Sequence, residues 1–464
     1  TSLSIIDTCE FQRLRYIRQL GVCHYVYPSA NHTRLEHSIG TSHLANQVVE
    51  SLRRQQPELE INDDDVMAVT LAGLCHDMGH GCFSHMLDNA IFSHFCPGSD
   101  WHHEKRSVDL VERMVDNNNI DIDRDTVATI QSLILPDKSK RGRRDYTGKE
   151  FLWDIVANAR TGIDVDKFDY LARDSYFCNV NSCFDHKRII QLLQVKDDEI
   201  CFKYSELGTV NDMFLQRTKM YQNVYTHKTV KAVEHMVLEA LIHANHKFRF
   251  GEIAESKDLD RFCELDDTIL RDIVRSRNPS LKKSQEILKQ IERRQLYQYI
   301  NEFVVPVEAL PHFRKLTVAE LLRHGTGSYL REHGDQVIVD NIKIDYGQDI
   351  NNPLDKAHFF DERPYKFPIS CNQISTMMPQ NYKDLTVRVY IKTRDQRLED
   401  EVKEAFVNYQ MQTFGREVMR TPSRKRMRRH HENGGGITNG GGTGTELTGD
   451  DDDVVSSQTA RKLM

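Results

Sequence analysis

Four candidate metal ligands constrain this fold more than anything else in the chain. They are His37 in HTRLEHSIG, the adjacent pair His76 and Asp77 in LAGLCHDMGHGCFSH, and Asp166 in GIDVDKFDYLARD. If they share one ion, three distant segments must converge. A histidine beside an aspartate offers one nitrogen and one oxygen ligand from neighbouring positions. The set contains no thiolate, so it suits Mn, Fe, Mg or a catalytic Zn and argues against a structural zinc site. The doublet ends an apolar stretch from Asp65 to His76, in which Val66, Met67, Val69, Leu71, Ala72 and Leu74 recur at helical spacing. Gly79 and Gly81 are expected to end that helix.

A metal held by nitrogen and oxygen ligands acidifies a bound water and polarises a phosphoryl oxygen. Three more histidines crowd the region: His80, His85 and His103. Cleaving a phosphoester requires an acid for the leaving oxygen, and an imidazole suits that task near neutral pH. His76 and His80, four apart, are expected to share a helix face. His85, just past a glycine break, is the better acid candidate. Arg34, three residues before His37, and Lys167, next to Asp166, stand where polyphosphate oxyanions would lie. Tyr170 and Asp174 follow on the same expected helix and offer a ring and a carboxylate to a sugar hydroxyl.

Residues 1 to about 300 read as mostly helical, with little strand-like alternation. Further helical patterns run from Ser107 to Val115, Val230 to Ala244 and Ser284 to Ile300. From about 301 to 418, VIVDNIKIDYG and LTVRVYIK alternate as strands do, and prolines punctuate the region. The fold class is therefore mainly α: a helical catalytic domain at 1–300, a smaller α+β lobe at 301–418 that would support oligomerisation, and a tail at 419–464. The tail runs from SRKRMRRHH through GGGITNGGGTGT to GDDDD and is expected to be disordered. The chain does not begin with Met, so we expect a fragment of a longer protein. Its first segment carries charges throughout and is no secretory signal.

The net charge of −7 gives no global nucleic-acid signature, so anion binding must come from local basic clusters. No apolar run approaches the ~20 residues that span a bilayer. Ten dispersed cysteines without a Cys-x-x-Cys pair fit reduced thiols of an intracellular protein. Cys178 and Cys183, flanking an Asn-rich segment, are the pair with redox potential.

The ligand motifs, with IIDTCEFQRLRYIRQLG, EILKQIE and IDYG, resemble the HD-domain metal-dependent phosphohydrolases. The match is closer still to the SAM-and-HD-domain deoxynucleoside triphosphate triphosphohydrolases of animals. It covers about residues 1 to 410, and the SAM domain of fuller members is absent from this sequence. The resemblance implies cleavage of a dNTP at the α-phosphate, releasing deoxynucleoside and intact triphosphate. It implies that His37, His76, Asp77 and Asp166 bind a divalent metal (Mg, Mn, Fe or Zn). His85 would protonate the leaving 5′-oxygen, with His80 and His103 assisting. Arg34, Lys167 and Arg217 would hold the triphosphate. Gln19, Asp174 and Tyr170 would read the 3′-hydroxyl, while Tyr225 and Leu20 would crowd the 2′ position.

The resemblance also implies a homotetramer with nucleotide activators. Asp7, Gln12, Arg15 and Arg294 match a GTP site, although Gln298 stands where the family has lysine and another lysine would lie upstream of Thr1. For a second, dNTP site, Val26, Tyr27, Arg188, His227 and Lys228 keep their places. Lys203, Ser205, Thr209, Asn223 and Cys371 stand at other positions that are usually cationic or polar in the family. Fewer cations imply weaker triphosphate binding and an altered dependence on the dNTP activator, with activation by GTP alone.

SRKRMRR reads as a nuclear signal, so the expected location is nuclear, with cytoplasmic presence also open. Thr421-Pro422 before it suits a proline-directed kinase, and the basic run offers weak contact to single-stranded nucleic acid. Two other readings stand beside the triphosphohydrolase. One is an HD phosphodiesterase or nuclease acting on RNA or DNA. The other is a non-catalytic nucleic-acid-binding protein.

Overall fold

A computed structural model describes residues 1–136, 146–369, 379 and 381–418. Cys371, Thr421, Pro422 and the tail from 419 lie outside the described residues. The principal helices are α1 (Arg34–Gln55), α2 (Asp63–Cys75), α3 (His103–Asn117), α4 (Arg124–Ile134), α5 (Val165–Phe177), α6 (Leu207–Met220), α7 (Lys228–Phe248), α8 (Lys282–Glu292) and α9 (Gln396–Phe414). No described helix is long and apolar enough to cross a membrane.

Local chemistry starts these helices where the site needs them. Glu36 accepts from the Thr33 backbone N–H at 2.8 Å, fixing the first turn of α1 and so Arg34 and His37. Asn62 and Asp65 form a reciprocal capping box at the start of α2, and Asp63, Asp64 and Asp65 complement its dipole. Helix α1 packs against both α2 and α5. Gly73 permits the α1–α2 contact: a Cβ there would lie 3.1 Å from the Thr41 carbonyl oxygen and from the Ala45 Cβ. That close approach brings His37 beside His76.

Helix α2 stops at Cys75 with His76 as its cap, before the glycines expected to end it. Gly79 instead allows the next loop to lie on the start of α3, where an added Cβ would collide with the His103 carbonyl. His76 and His80 therefore do not share a helix face.

The helix expected from Ser284 to Ile300 is shorter than its apolar period. Helix α8 ends at Glu292, and Arg294 takes a left-handed conformation (φ 58°). Leu296, in the loop that follows, and Ile300, on the next strand (Gln298–Val304), continue the apolar period by coincidence.

The strands are β1 (Gln194–Lys196), β2 (Glu199–Lys203), β3 (Gln298–Val304), β4 (Val337–Asp345), β5 (His358–Phe360), β6 (Phe367–Pro368) and β7 (Lys383–Ile391). One sheet runs β1-β2-β5-β6, and the other is antiparallel in the order β3-β7-β4. The β1–β2 hairpin is a departure from the strand-poor reading of the first half. Its Glu199–Phe202 segment is buried at every position, so it shows no alternation.

A large core lies among the helices. A second cluster forms where α9 covers β3 and β7, with Phe303 5.1 Å from Phe406 between ring centroids. Both belong to one unit of the chain.

Arg388 on β7 ties that sheet to the helical core. It donates to Glu302 at 2.6 Å and to the Thr226 carbonyl at 2.7 Å, just before α7. Both charged side chains are buried. Glu302→Ala leaves the guanidinium without its carboxylate and is expected to cost about 3–5 kcal/mol. The midpoint of urea unfolding measures this, and Glu302→Gln should lose less.

Candidate active site

The four sequence-predicted ligands meet. Asp166 Oδ1 lies 3.1 Å from His37 Nε2 and 3.4 Å from His76 Nε2. Asp77 faces the same two atoms, with Oδ2 3.3 Å from His37 Nε2 and Oδ1 3.4 Å from His76 Nε2. Both Nε2 atoms are buried and make no hydrogen bond. Unsatisfied nitrogens turned toward two carboxylates form a donor set for a divalent cation, and the residues fit one. Burial opposes a charged His37, but the carboxylates of Asp166, Asp169 and Asp77 overcome it and hold the ring above the usual histidine range. That negative field suits a cation equally well.

The outer groups fix the rings. His37 Nδ1 donates to Asp169 at 2.7 Å, and Arg173 holds Asp169 with two bonds of 2.8 Å. His76 Nδ1 donates to the Gly73 carbonyl at 2.9 Å. Each bond commits the Nδ1 proton and leaves the Nε2 lone pair for a metal. Asp169→Asn is expected to weaken metal affinity about 10- to 100-fold with the fold intact. Titration of apo-protein with Mn(II) measures it.

Beside the ligands stand His80, His85 and His103, whose ring nitrogens come within 4.8 Å of one another. His80 stacks on His103 (4.1 Å between centroids) and meets His85 edge-on at 4.9 Å. His80 is buried with both nitrogens unpartnered. Burial, then the Arg34 and His103 charges, hold it well below the usual range. His85 faces the solvent-accessible side. Crowding by the protein and the same two charges push it down to about 3.

The segment between His80 and His85 is strained. Phe83 and Ser84 are both left-handed, with φ of 61° and 56°. The Phe83 N–H donates to Asp267 at 2.7 Å, and the Ser84 hydroxyl donates to the Arg18 carbonyl at 2.7 Å. Asp88, on a short π-helix at Leu87–Phe92, accepts from His103 Nδ1 at 3.1 Å. Buried Arg106 holds the same carboxylate. Sequence reasoning missed Asp88, Arg106, Asp169 and Arg173, since nothing local marks them as partners of the histidines.

The predicted phosphate cations are all engaged. Arg34 donates to Asp77 at 2.5 Å and to Ser84 at 2.9 Å. Lys167 donates to Asp164 at 2.9 Å. Arg217 binds the Asp345 carbonyl and lies over the Tyr221 ring, 4.5 Å from its centroid. Tyr170 neighbours Arg217 and Tyr221. Tyr225 donates to Asp174 at 2.7 Å. Gln19 is buried with Oε1 unpartnered, and Leu20 beside it is half-buried.

The predicted activator residues form local groups. Gln12 accepts from Arg15 at 2.6 Å, and Asp7 caps the short helix just before them. Arg15 lines a cavity of about 710 Å³ with Arg18, Tyr25 and Arg271, and Arg294 donates to the Tyr25 carbonyl at 2.6 Å. Val26 and Tyr27 pack against the helical core, Tyr27 and His227 lie edge-on at 5.9 Å, and Lys228 lies over Tyr299. Arg188 donates to buried Glu206 at 2.7 Å, close in sequence to Lys203. Every described cysteine is free, Cys178 buried and Cys183 exposed.

The HD domain family model matches residues 34–174, and the HD associated region matches 184–321. The chain is 34% identical to mouse (Mus musculus) deoxynucleoside triphosphate triphosphohydrolase SAMHD1 over 455 residues, covering 88% of this chain and 68% of the mouse protein. The human (Homo sapiens) protein of that name is 35% identical, with 87% and 70% covered. The SAMHD1 homolog of Dictyostelium discoideum is 33% identical, with 85% and 74% covered. A putative HD domain-containing protein, L394, of Acanthamoeba polyphaga mimivirus is 35% identical over 64% of this chain.

Proposed function

This chain belongs to the HD-domain family of SAMHD1-type deoxynucleoside triphosphate triphosphohydrolases, and from that membership we propose that it hydrolyses dNTPs to deoxynucleoside and inorganic triphosphate. The observation that carries the reading is the convergence of His37, His76, Asp77 and Asp166 beside a histidine trio. His37, His76, Asp77 and Asp166 would hold a divalent cation, which would supply charge neutralisation near the α-phosphate and acidify a water. Arg34 adds fixed positive charge on the same side. Arg217 and Lys167 hold the outer phosphates by exchanging their internal partners for substrate oxygens. His85 delivers a proton to the leaving 5′-oxygen, and the Asp88–His103 pair holds the trio in place. Asp174, Gln19 and Tyr170 take the sugar 3′-hydroxyl. Leu20 and the ring of Tyr225, whose hydroxyl proton is committed to Asp174, crowd the 2′ position against a ribose.

Activation belongs to the same proposal: GTP at Asp7, Gln12, Arg15 and Arg294, with a weakened dNTP site, drives tetramer formation. The biological output is control of dNTP pools in the nucleus. The test is product analysis with dGTP, and with dATP plus GTP, in Mg and in Mn. Deoxynucleoside with intact triphosphate is expected, with a larger sedimenting species in GTP. Release of phosphate or pyrophosphate alone, or no release, would overturn the reading and turn attention to single-stranded RNA as substrate.

A further inference from the structure

We propose that His32 is a positioning residue for sugar recognition: its ring sets the carboxylate of Asp174 and its carbonyl sets Gln19, the two residues that read the 3′-hydroxyl. The inference rests on the triphosphohydrolase reading above.

His32 precedes α1 and is buried with Asp174. Its Nε2 donates to Asp174 Oδ1 at 2.7 Å, and the Tyr225 hydroxyl donates to Oδ2 of the same carboxylate at 2.7 Å. The His32 ring stacks on Phe177, 4.4 Å between centroids and 13° from parallel. Its Nδ1 is buried without a partner, so the proton sits on Nε2, where the carboxylate needs it. Phe177 ends α5, the helix that also carries Asp166 and Asp174. The Ser29 hydroxyl donates to the Phe177 carbonyl at 2.5 Å and pins the approach to His32.

The backbone of the same residue reaches the other reader. The Gln19 N–H donates to the His32 carbonyl at 3.0 Å, beside an antiparallel bridge between Arg18 and Thr33. Gln19 Oε1 is buried and accepts from nothing. Each Asp174 oxygen has one bond from the protein and lone-pair capacity for another. A sugar hydroxyl can donate its one proton to the Asp174 carboxylate while its oxygen accepts from the Gln19 amide. A substrate without that hydroxyl forfeits both bonds in a buried pocket, and such sites discriminate strongly. Without His32, the Asp174 carboxylate keeps only its Tyr225 bond and its geometry is no longer fixed.

The experiment compares kcat/KM for dGTP and 2′,3′-dideoxy-GTP in the wild type, His32→Leu, His32→Asn and His32→Gln, with metal content measured in each. Wild type is expected to favour dGTP by about 100-fold or more. His32→Leu should bring the ratio to within about 10-fold by slowing dGTP alone, with metal content unchanged. The Asn amide is too short to reach Asp174 and should behave like Leu. The Gln amide reaches it and should keep most of the ratio. Equal slowing of both substrates, or an unchanged ratio in His32→Asn, would overturn the proposal. A wild type that releases triphosphate without preferring dGTP would overturn it too. A wild type that releases no triphosphate would remove the reading beneath it, and the wild-type assay alone makes that distinction.

Discussion

Asp77→Asn will slow triphosphate release by at least about a thousandfold and strip the bound divalent metal, while helix content persists. Asp77 faces four basic side chains at once: Arg34, His37, His76 and His80. Its Oδ2 takes the Arg34 guanidinium at 2.5 Å, and its two oxygens lie 3.3 Å and 3.4 Å from the open nitrogens of His37 and His76. Burial alone would protonate such a carboxylate. The Arg34 charge, then His76 and His80, keep it ionised and well below the usual carboxylate range. Asparagine preserves the volume and one acceptor but removes the charge, and its NH2 group turns a donor toward a cation or an imidazole. Arg34, almost fully buried, then loses its counter-charge, at a cost of up to about 3–5 kcal/mol. Atomic emission gives metal per chain, and thermal melting gives the stability loss. An Asn variant that keeps full metal and turnover would show that Asp77 serves Arg34 alone.

That prediction comes from residues the sequence made legible, and the reason is local. The His-Asp doublet sits at a helix end, and His37 and Asp166 lie in the first turns of α1 and α5, so short-range periodicity and caps position them. Their outer partners were illegible. Asp169 and Arg173 look like an ordinary i,i+4 surface pair, and only the packing of α5 on α1 turns Asp169 toward His37. His32, Asp88 and Arg106 acquire their roles through contacts distant in sequence.

The fold divides the same way. The sequences of β4 and β7 alternate and were readable, although β7 is buried throughout Thr386–Ile391, whereas β2 is buried and its sequence shows no period. Helix α8 was overextended because its stop is a left-handed arginine and not a glycine or proline, leaving no compositional signal. The relation of His76 to His80 failed for a related reason: the helix closes at Cys75, and their proximity comes from Asp77, whose Oδ1 lies 3.4 Å from both Nε2 atoms.

His85→Asn will lower kcat for dGTP by about 10²- to 10⁴-fold, and the loss will depend on the leaving group. The 5′-oxygen departs as an alkoxide unless it is protonated, so the donor matters most when that oxygen is strongly basic. In the free protein burial and the Arg34 and His103 charges push His85 down to about 3, so its neutral form predominates at pH 7. A depressed histidine gains its proton only as the pH falls, and anions nearby raise the value again. The triphosphate brings that negative charge to Arg34 and the trio. The fall of kcat with rising pH, which reports the bound complex, should therefore occur at higher pH than the fall of kcat/KM, which reports the free enzyme. His85→Asn should abolish both falls. An aryl triphosphate with a nitrophenolate leaving group needs no proton, so the variant should lose less than about tenfold on it. Equal losses on the nucleotide and the aryl substrate would move His85 from proton donation to phosphate binding, leaving the leaving oxygen to His80 or His103.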